Sequence, residues 1–145
     1  MIQSILVVCV GNICRSPMAT TLLKQHLPGV NVASAGLSAM IGEPADAAVS
    51  ALLKARGLDA SAHRAQQITE FLCKKADLIL VMDRRQKHQI ERLYPFVHGK
   101  VYRLGAHGGY DVFDPYRQGS ERFERCFAMV EAGIESWVAD IVKLT

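Results

Sequence analysis

Long hydrophobic runs are missing from this sequence. Its most apolar opening, MIQSILVVCVGN, is short, lacks a basic leader, and is followed soon by Arg15. It reads neither as a signal peptide nor as a membrane span, and the expected location is cytoplasmic. Charge of one sign is scarce as well. Seventeen Lys and Arg against fourteen Asp and Glu leave a net charge of +3. That favours anionic partners slightly but falls far short of the basic stripe of a nucleic-acid binder. Paired cysteine spacing is also lacking. The four cysteines, Cys9, Cys14, Cys73 and Cys126, form no Cys-x-x-Cys and no paired spacing with the five histidines. The common zinc patterns are thereby excluded, and without a secretion signal the thiols are expected to be reduced.

The remaining sequence is that of a globular chain. Half of its 145 residues are hydrophobic and about a fifth are charged, which suits one domain over residues 1–145 with one core. No repeat, low-complexity segment or linker interrupts it. Ile5 to Val8 is a β-branched and aliphatic run, the pattern of a strand buried on both faces. Ser16-Pro17 is read as an N-cap followed by a proline in the first helical turn, with Pro28-Gly29 ending that helix. Further strands are expected over Val30 to Ala35, Leu78 to Met82 and Val101 to Leu104. Helices are expected over Ala45 to Arg56, Thr69 to Lys75, Arg84 to Leu93 and Ser120 to Val142. The alternation predicts an α/β fold: a single three-layer domain, with a four-stranded parallel sheet and helices on both faces. Ligands in such sheets bind beyond the carboxyl ends of the strands. The first strand ends at Cys9, so the next residues are where chemistry is expected.

Residues 9 to 16 read Cys-Val-Gly-Asn-Ile-Cys-Arg-Ser. A tight loop between a buried strand and a helix start can aim successive N–H groups at one point, and the helix N-terminus adds partial positive charge there. Gly11 and Asn12 are the residue types that most readily take the positive φ such a loop needs. A phosphate-binding loop made of Val10, Gly11, Asn12, Ile13, Cys14 and Ser16 is therefore predicted after the first strand. Cys9 at its base should be a thiolate, a strong nucleophile toward phosphorus. Arg15 would offer a planar fork to two phosphoryl oxygens, and the Ser16 hydroxyl would donate to the sulfur. The competing reading takes Cys9 as a buried strand-end thiol and Arg15 as a surface charge.

A phenolic oxygen leaves poorly unless it is protonated, so an acid is expected near the loop. Asp114-Pro115-Tyr116 supplies a carboxyl on a backbone stiffened by proline, beside an aromatic side chain suited to a cleft wall. Asp111 is a rival acid, and Asp-Pro also occurs as plain turn chemistry.

Together these residues resemble the low-molecular-weight protein tyrosine phosphatases. The likeness rests on Val-Cys-Val-Gly-Asn-Ile-Cys-Arg-Ser-Pro at the N-terminus and Asp114-Pro115-Tyr116 near the C-terminus. Between them Ser34-Ala35-Gly36, His63-Arg64-Ala65 with Ile68-Thr69, and Leu80-Val81-Met82-Asp83 also match. The resemblance implies a phosphocysteine intermediate on Cys9, phosphate binding by Arg15 and general acid/base catalysis by Asp114. It implies no cofactor or metal, and inhibition by inorganic phosphate and its analogues. It also implies that Asn12 holds the loop and that Ser34 and His63 hydrogen-bond beneath it, although His63 reads equally as a core histidine. Cys14 would form a reversible disulfide with Cys9 under oxidation, or else be a packed thiol. Leu37 to Ile41 contains no aromatic residue, which is similar to the bacterial branch tied to surface polysaccharide. Leu37 and Met40 would then line the cleft with Tyr116. The partner so implied is an autophosphorylating bacterial tyrosine kinase with a tyrosine-rich tail.

Two other functions fit the same loop. A thioredoxin-coupled arsenate reductase needs two further cysteines near the third strand, where this chain has Leu80-Val81-Met82-Asp83 and Arg84-Arg85. A non-catalytic phosphotyrosine-binding module would need neither nucleophile nor acid. The run Arg84-Arg85-Gln86-Lys87-His88 has no interleaved aromatics, so it is read as the solvated face of a helix and not as a nucleic-acid patch.

Overall fold

The structure is a computed structural model that describes residues 1–144. Four strands, β1 (Ser4–Cys9), β2 (Asn31–Gly36), β3 (Leu78–Val81) and β4 (Val101–Arg103), pair in parallel in the order β2-β1-β3-β4. Five helices connect and follow them: α1 (Arg15–His26), α2 (Ala47–Lys54), α3 (Glu70–Lys75), α4 (Arg84–Leu93) and α5 (Ser120–Leu144). Two short 3₁₀ turns, Pro95–Val97 and Ala106–Gly108, had no signal in the sequence reading.

Side-chain alternation along the strands builds two cores, one on each face of the sheet. Ile5, Val7 and Cys9 of β1, with Leu78 and Leu80 of β3, pack with α1, α2 and α5. Leu6 and Val8, with Ile79 and Val81, pack on the opposite face with Cys73 of α3 and Ile90 of α4. The result is the expected three layers. Each fully buried aliphatic side chain in them contributes about 1.5–3 kcal/mol. No helix among the described residues is long and apolar enough to cross a membrane.

β1 lies between β2 and β3. The chain leaves its carboxyl end toward one side and later returns on the other, so a crevice opens beyond Cys9 at the switch point. The helix that follows begins two residues earlier than its sequence signal. Cys14 is the N-cap and makes no side-chain capping bond, whereas Ser16 lies inside the first turn. The Ser-Pro signal therefore placed proline in the first turn correctly and misassigned the cap. Ser16 is turned away from the helix end by the contacts described next. Elsewhere the caps follow the usual chemistry. Asp46, Thr69 and Asp83 accept from the backbone N–H groups of Ala48, Leu72 and Gln86.

Candidate active site

The loop from Cys9 to Cys14 is held by its carbonyls. Leu37 N donates to Cys9 O, Ser38 N to Val10 O, Met40 N to Gly11 O and Asp46 N to Ile13 O, at 2.8–3.0 Å. His63 Nε2 donates to Asn12 O at 2.6 Å, which fixes the protonated ring nitrogen, because a carbonyl can only accept. With these carbonyls directed outward, the peptide N–H groups face the opposite way. Those of Gly11, Asn12, Ile13 and Cys14 have no protein acceptor among the described residues. Successive unpaired amides ending at a helix N-terminus make an anion nest.

Asn12 is the residue on which the loop turns. It takes φ 62°, tolerated by Asn far better than by most side chains, and is fully buried. Its Nδ2 donates to Ser16 Oγ at 2.7 Å and Ser34 Oγ at 3.0 Å, while its Oδ1 accepts from Gln66 N at 2.9 Å. Gly11, the other residue expected at positive φ, is not among those that adopt it. Ser16 Oγ, having accepted from Asn12, lies 3.0 Å from Cys9 Sγ. Gly36, opposite Cys9 in the β1–β2 register, has no room for a side chain. A Cβ there would stand 2.5 Å from Val10 O.

A cleft of about 190 Å³ opens over the loop, lined by Cys9, Val10, Gly11, Ile13, Cys14, Arg15, Ser38, Met40, Asp114 and Tyr116. A larger groove of about 590 Å³ lies behind the loop, along Lys24, Ser34, His63 and Arg64, and no cysteine lines it. Leu37 does not line the cleft, contrary to the sequence expectation. Its side chain is buried in the core on the α3/α4 face, and the next residue, Ser38, takes the lining position. Asn12 and Ser16 also lie off the cleft surface, beneath the loop. Ser34 and His63 likewise meet Asn12 from below and do not touch the cleft.

Arg15 is buried and ties three segments together. Its guanidinium donates to Val112 O at 2.9 Å, lies 3.7 Å from Asp83 and 3.8 Å from Asp114. Val112 N donates to Met82 O at 2.8 Å, which docks the acid-bearing loop on the carboxyl end of β3. Asp114 Oδ1 accepts from Tyr116 N at 3.1 Å, a local turn that aims the carboxyl. The rival Asp111 is held by Arg103 at 2.8 Å and does not line the cleft. Sequence reasoning missed Asp83, Gln66 and Gln67. Gln66 Nε2 donates to Ser34 O, and Gln67 bridges Leu37 O and Ala39 N. Asp83 had a signal, since Asp three residues before Gln86 at a helix start is a capping pattern. The two glutamines had none.

The other thiols are set apart by their surroundings. Burial, with Asp46 next, pushes the Cys14 thiol far up. Burial pushes Cys126 up to about 12 and Cys73 up to about 11. All four cysteines are free. No group of His, Cys, Asp and Glu that could hold a metal occurs among the described residues.

The sequence signature of the low molecular weight phosphotyrosine protein phosphatases matches residues 4–144. The chain belongs to this family. It is 50% identical over 144 residues to the probable low molecular weight protein-tyrosine-phosphatase EpsP of Ralstonia nicotianae, covering 99% of each. Its fold matches Vibrio vulnificus Wzb in complex with benzylphosphonate with a TM-score of 0.93 at 38% identity, over 97% of this chain and 99% of that one. It also matches the YwlE arginine phosphatase from Geobacillus stearothermophilus, with a TM-score of 0.91 at 32% identity over 97% and 94%. The protein is thus an enzyme, a protein-tyrosine-phosphatase of the EpsP and Wzb type.

Proposed function

We propose that the enzyme hydrolyses phosphotyrosine in two steps on Cys9. The observation that carries this reading is one cleft holding a thiol at the base of an anion nest, a buried arginine and an exposed carboxyl. In the first step the Cys9 thiolate attacks phosphorus in line and the P–O bond to tyrosine breaks. The departing oxygen takes its proton from Asp114. The nest amides and the Arg15 fork hold the equatorial oxygens, the kind of preorganised electrostatic stabilisation that dominates such reactions. In the second step Asp114 takes a proton from water, the water oxygen attacks phosphorus, and the P–S bond breaks. Ser16 donates its hydroxyl to the sulfur as the thiolate returns, a role that fits its 3.0 Å distance.

The apolar walls of Ile13, Met40 and Tyr116 suit an aryl ring better than a guanidinium. The physiological substrate in this reading is the tyrosine-rich tail of an autophosphorylating bacterial kinase that controls surface polysaccharide, met in the cytoplasm. Relatives named EpsP and Wzb support it.

The test is phosphate release from a phosphotyrosine peptide in reducing buffer with EDTA, for wild type and Cys9→Ser side by side. Release by wild type alone is expected. No release by folded wild type overturns the mechanism, and equal release by both proteins points to another nucleophile. A phosphoarginine peptide in the same assay measures how strictly the apolar walls select an aryl ester.

A further inference from the structure

Arg117 follows the cleft-wall residue Tyr116 and occupies an unusual backbone position. The turn Pro115–Gln118 is closed by Gln118 N donating to Pro115 O at 2.9 Å, and Arg117 is its third residue, at φ 60°. Turns with a positive φ at that position normally place Gly or Asn there. The only other non-glycine residue with positive φ among those described is Asn12, in the phosphate loop itself. Both departures from ordinary backbone therefore fall at the active site, where such strain tends to carry function.

The strained turn leaves Arg117 exposed, with its guanidinium carbon 5.1 Å from the centroid of the Tyr116 ring. Tyr116 lines the cleft, so the cation stands at the rim. Two arginines of the site are already paired with carboxylates. Arg15 lies between Asp83 and Asp114, and Arg103 is paired with Asp111. Arg117 has no carboxylate partner among the described residues. The aromatic ring orients its planar face without neutralising its charge.

We propose that Arg117 is a specificity-determining residue that recognises an anionic group flanking the phosphotyrosine, either an acidic side chain or a second phosphotyrosine on the same segment. The inference rests on the phosphotyrosine reading above. The contact is exposed, so its effect is moderate and sensitive to salt.

The test uses three peptides that share one phosphotyrosine and differ in its neighbour, which is alanine, glutamate or a second phosphotyrosine. They are assayed with wild type, Arg117→Gly and Arg117→Lys at low salt and at about 0.5 M salt, where exposed charges are screened. Glycine takes φ 60° without strain, so the first variant folds at least as well as wild type. Wild type should prefer the glutamate peptide over the alanine peptide by about threefold in kcat/KM. The preference should be larger for the second phosphate, which carries roughly −1.5 to −2 charges. Arg117→Gly should lose both preferences through KM and not kcat, Arg117→Lys should keep most of them, and high salt should erase them in wild type. Equal ratios in wild type and Arg117→Gly overturn the inference. So does a preference abolished by Arg84→Ala and Arg85→Ala instead. Release from no peptide by folded wild type is a different failure, that of the phosphotyrosine reading itself.

Discussion

Gly36→Ala tests whether the phosphate loop is positioned by steric fit against β2. The added Cβ would stand 2.5 Å from Val10 O and 3.0 Å from Ala39 Cα. The first contact is half an ångström inside the 3.0 Å that real Cβ carbons essentially never breach. Neither atom is the end of a flexible side chain. Val10 O also accepts from Ser38 N at 2.9 Å, and Gly36 itself donates to Gln66 O and accepts from Ile68 N. The strand end is therefore pinned on both sides, and relief must come from the loop. A shift approaching 1 Å in catalytic groups can cost about 10²-fold in rate, whereas a methyl forced into a packed site costs about 1–3 kcal/mol of stability. The expected result is a fall in kcat/KM of about two orders of magnitude with a cooperative unfolding transition retained. Hydrolysis of p-nitrophenyl phosphate, read beside thermal unfolding by circular dichroism, separates the two effects. Wild-type kcat/KM in a folded Gly36→Ala protein would refute the steric argument.

Three further outcomes follow from the same geometry. Asp114→Asn should lower kcat on phosphotyrosine peptide by about 10²–10⁴-fold and act less on an aryl phosphate with a more acidic leaving group; equal losses on both would remove the leaving-group acid from Asp114. Iodoacetamide near neutral pH should add one group, on Cys9, and phosphate should block it, because Cys14, Cys73 and Cys126 have thiols pushed well above the ordinary range; mass spectrometry finding Cys14 modified first would contradict that. His63 is held below its ordinary value, chiefly by burial and with Lys24 and Arg64 adding to it. The unfolded chain then binds more protons there than the native one, so this contribution to stability is present above about pH 6.5 and falls as pH drops through the lowered native value. His63→Asn should flatten that part of the melting-temperature profile, and an unaltered profile would assign the titration to other groups.

The features legible in the sequence are those specified locally. Ile5 to Val8 and Leu78 to Met82 are continuous apolar runs, and each became a strand buried on both faces. The Cys9 loop and Asp114-Pro115 are compact chemical signals, and the fold brings them into one cleft. What escaped depends on contacts between distant segments. The Asp83–Arg15 pair joins the β3–α4 junction to the phosphate loop, and nothing near Arg15 in the sequence announces it. Leu37 was assigned to the cleft through the family resemblance, as one of the apolar residues in the aromatic-free segment Leu37 to Ile41. It lies just past the end of β2, where the alternation of a strand continues for one more residue and turns it into the core. Ser16 was read as a cap because Ser-Pro is a strong local signal. Its hydroxyl is engaged with Asn12 and Cys9, a tertiary demand that outweighs the local preference.

The supports of the phosphate loop have a consequence for how the enzyme can diverge. Four of its five outward carbonyls are met by backbone N–H groups, those of Leu37, Ser38, Met40 and Asp46, which every amino acid but proline supplies. The side chains at 38 and 40 meanwhile face the cleft. One short segment thus carries two independent kinds of information, with chemistry held in its main chain and selectivity written in its side chains. If the proposed phosphotyrosine reading holds, substitution at 38 and 40 would alter substrate preference without disturbing the main-chain bonds that hold the Cys9 loop, provided that no proline enters.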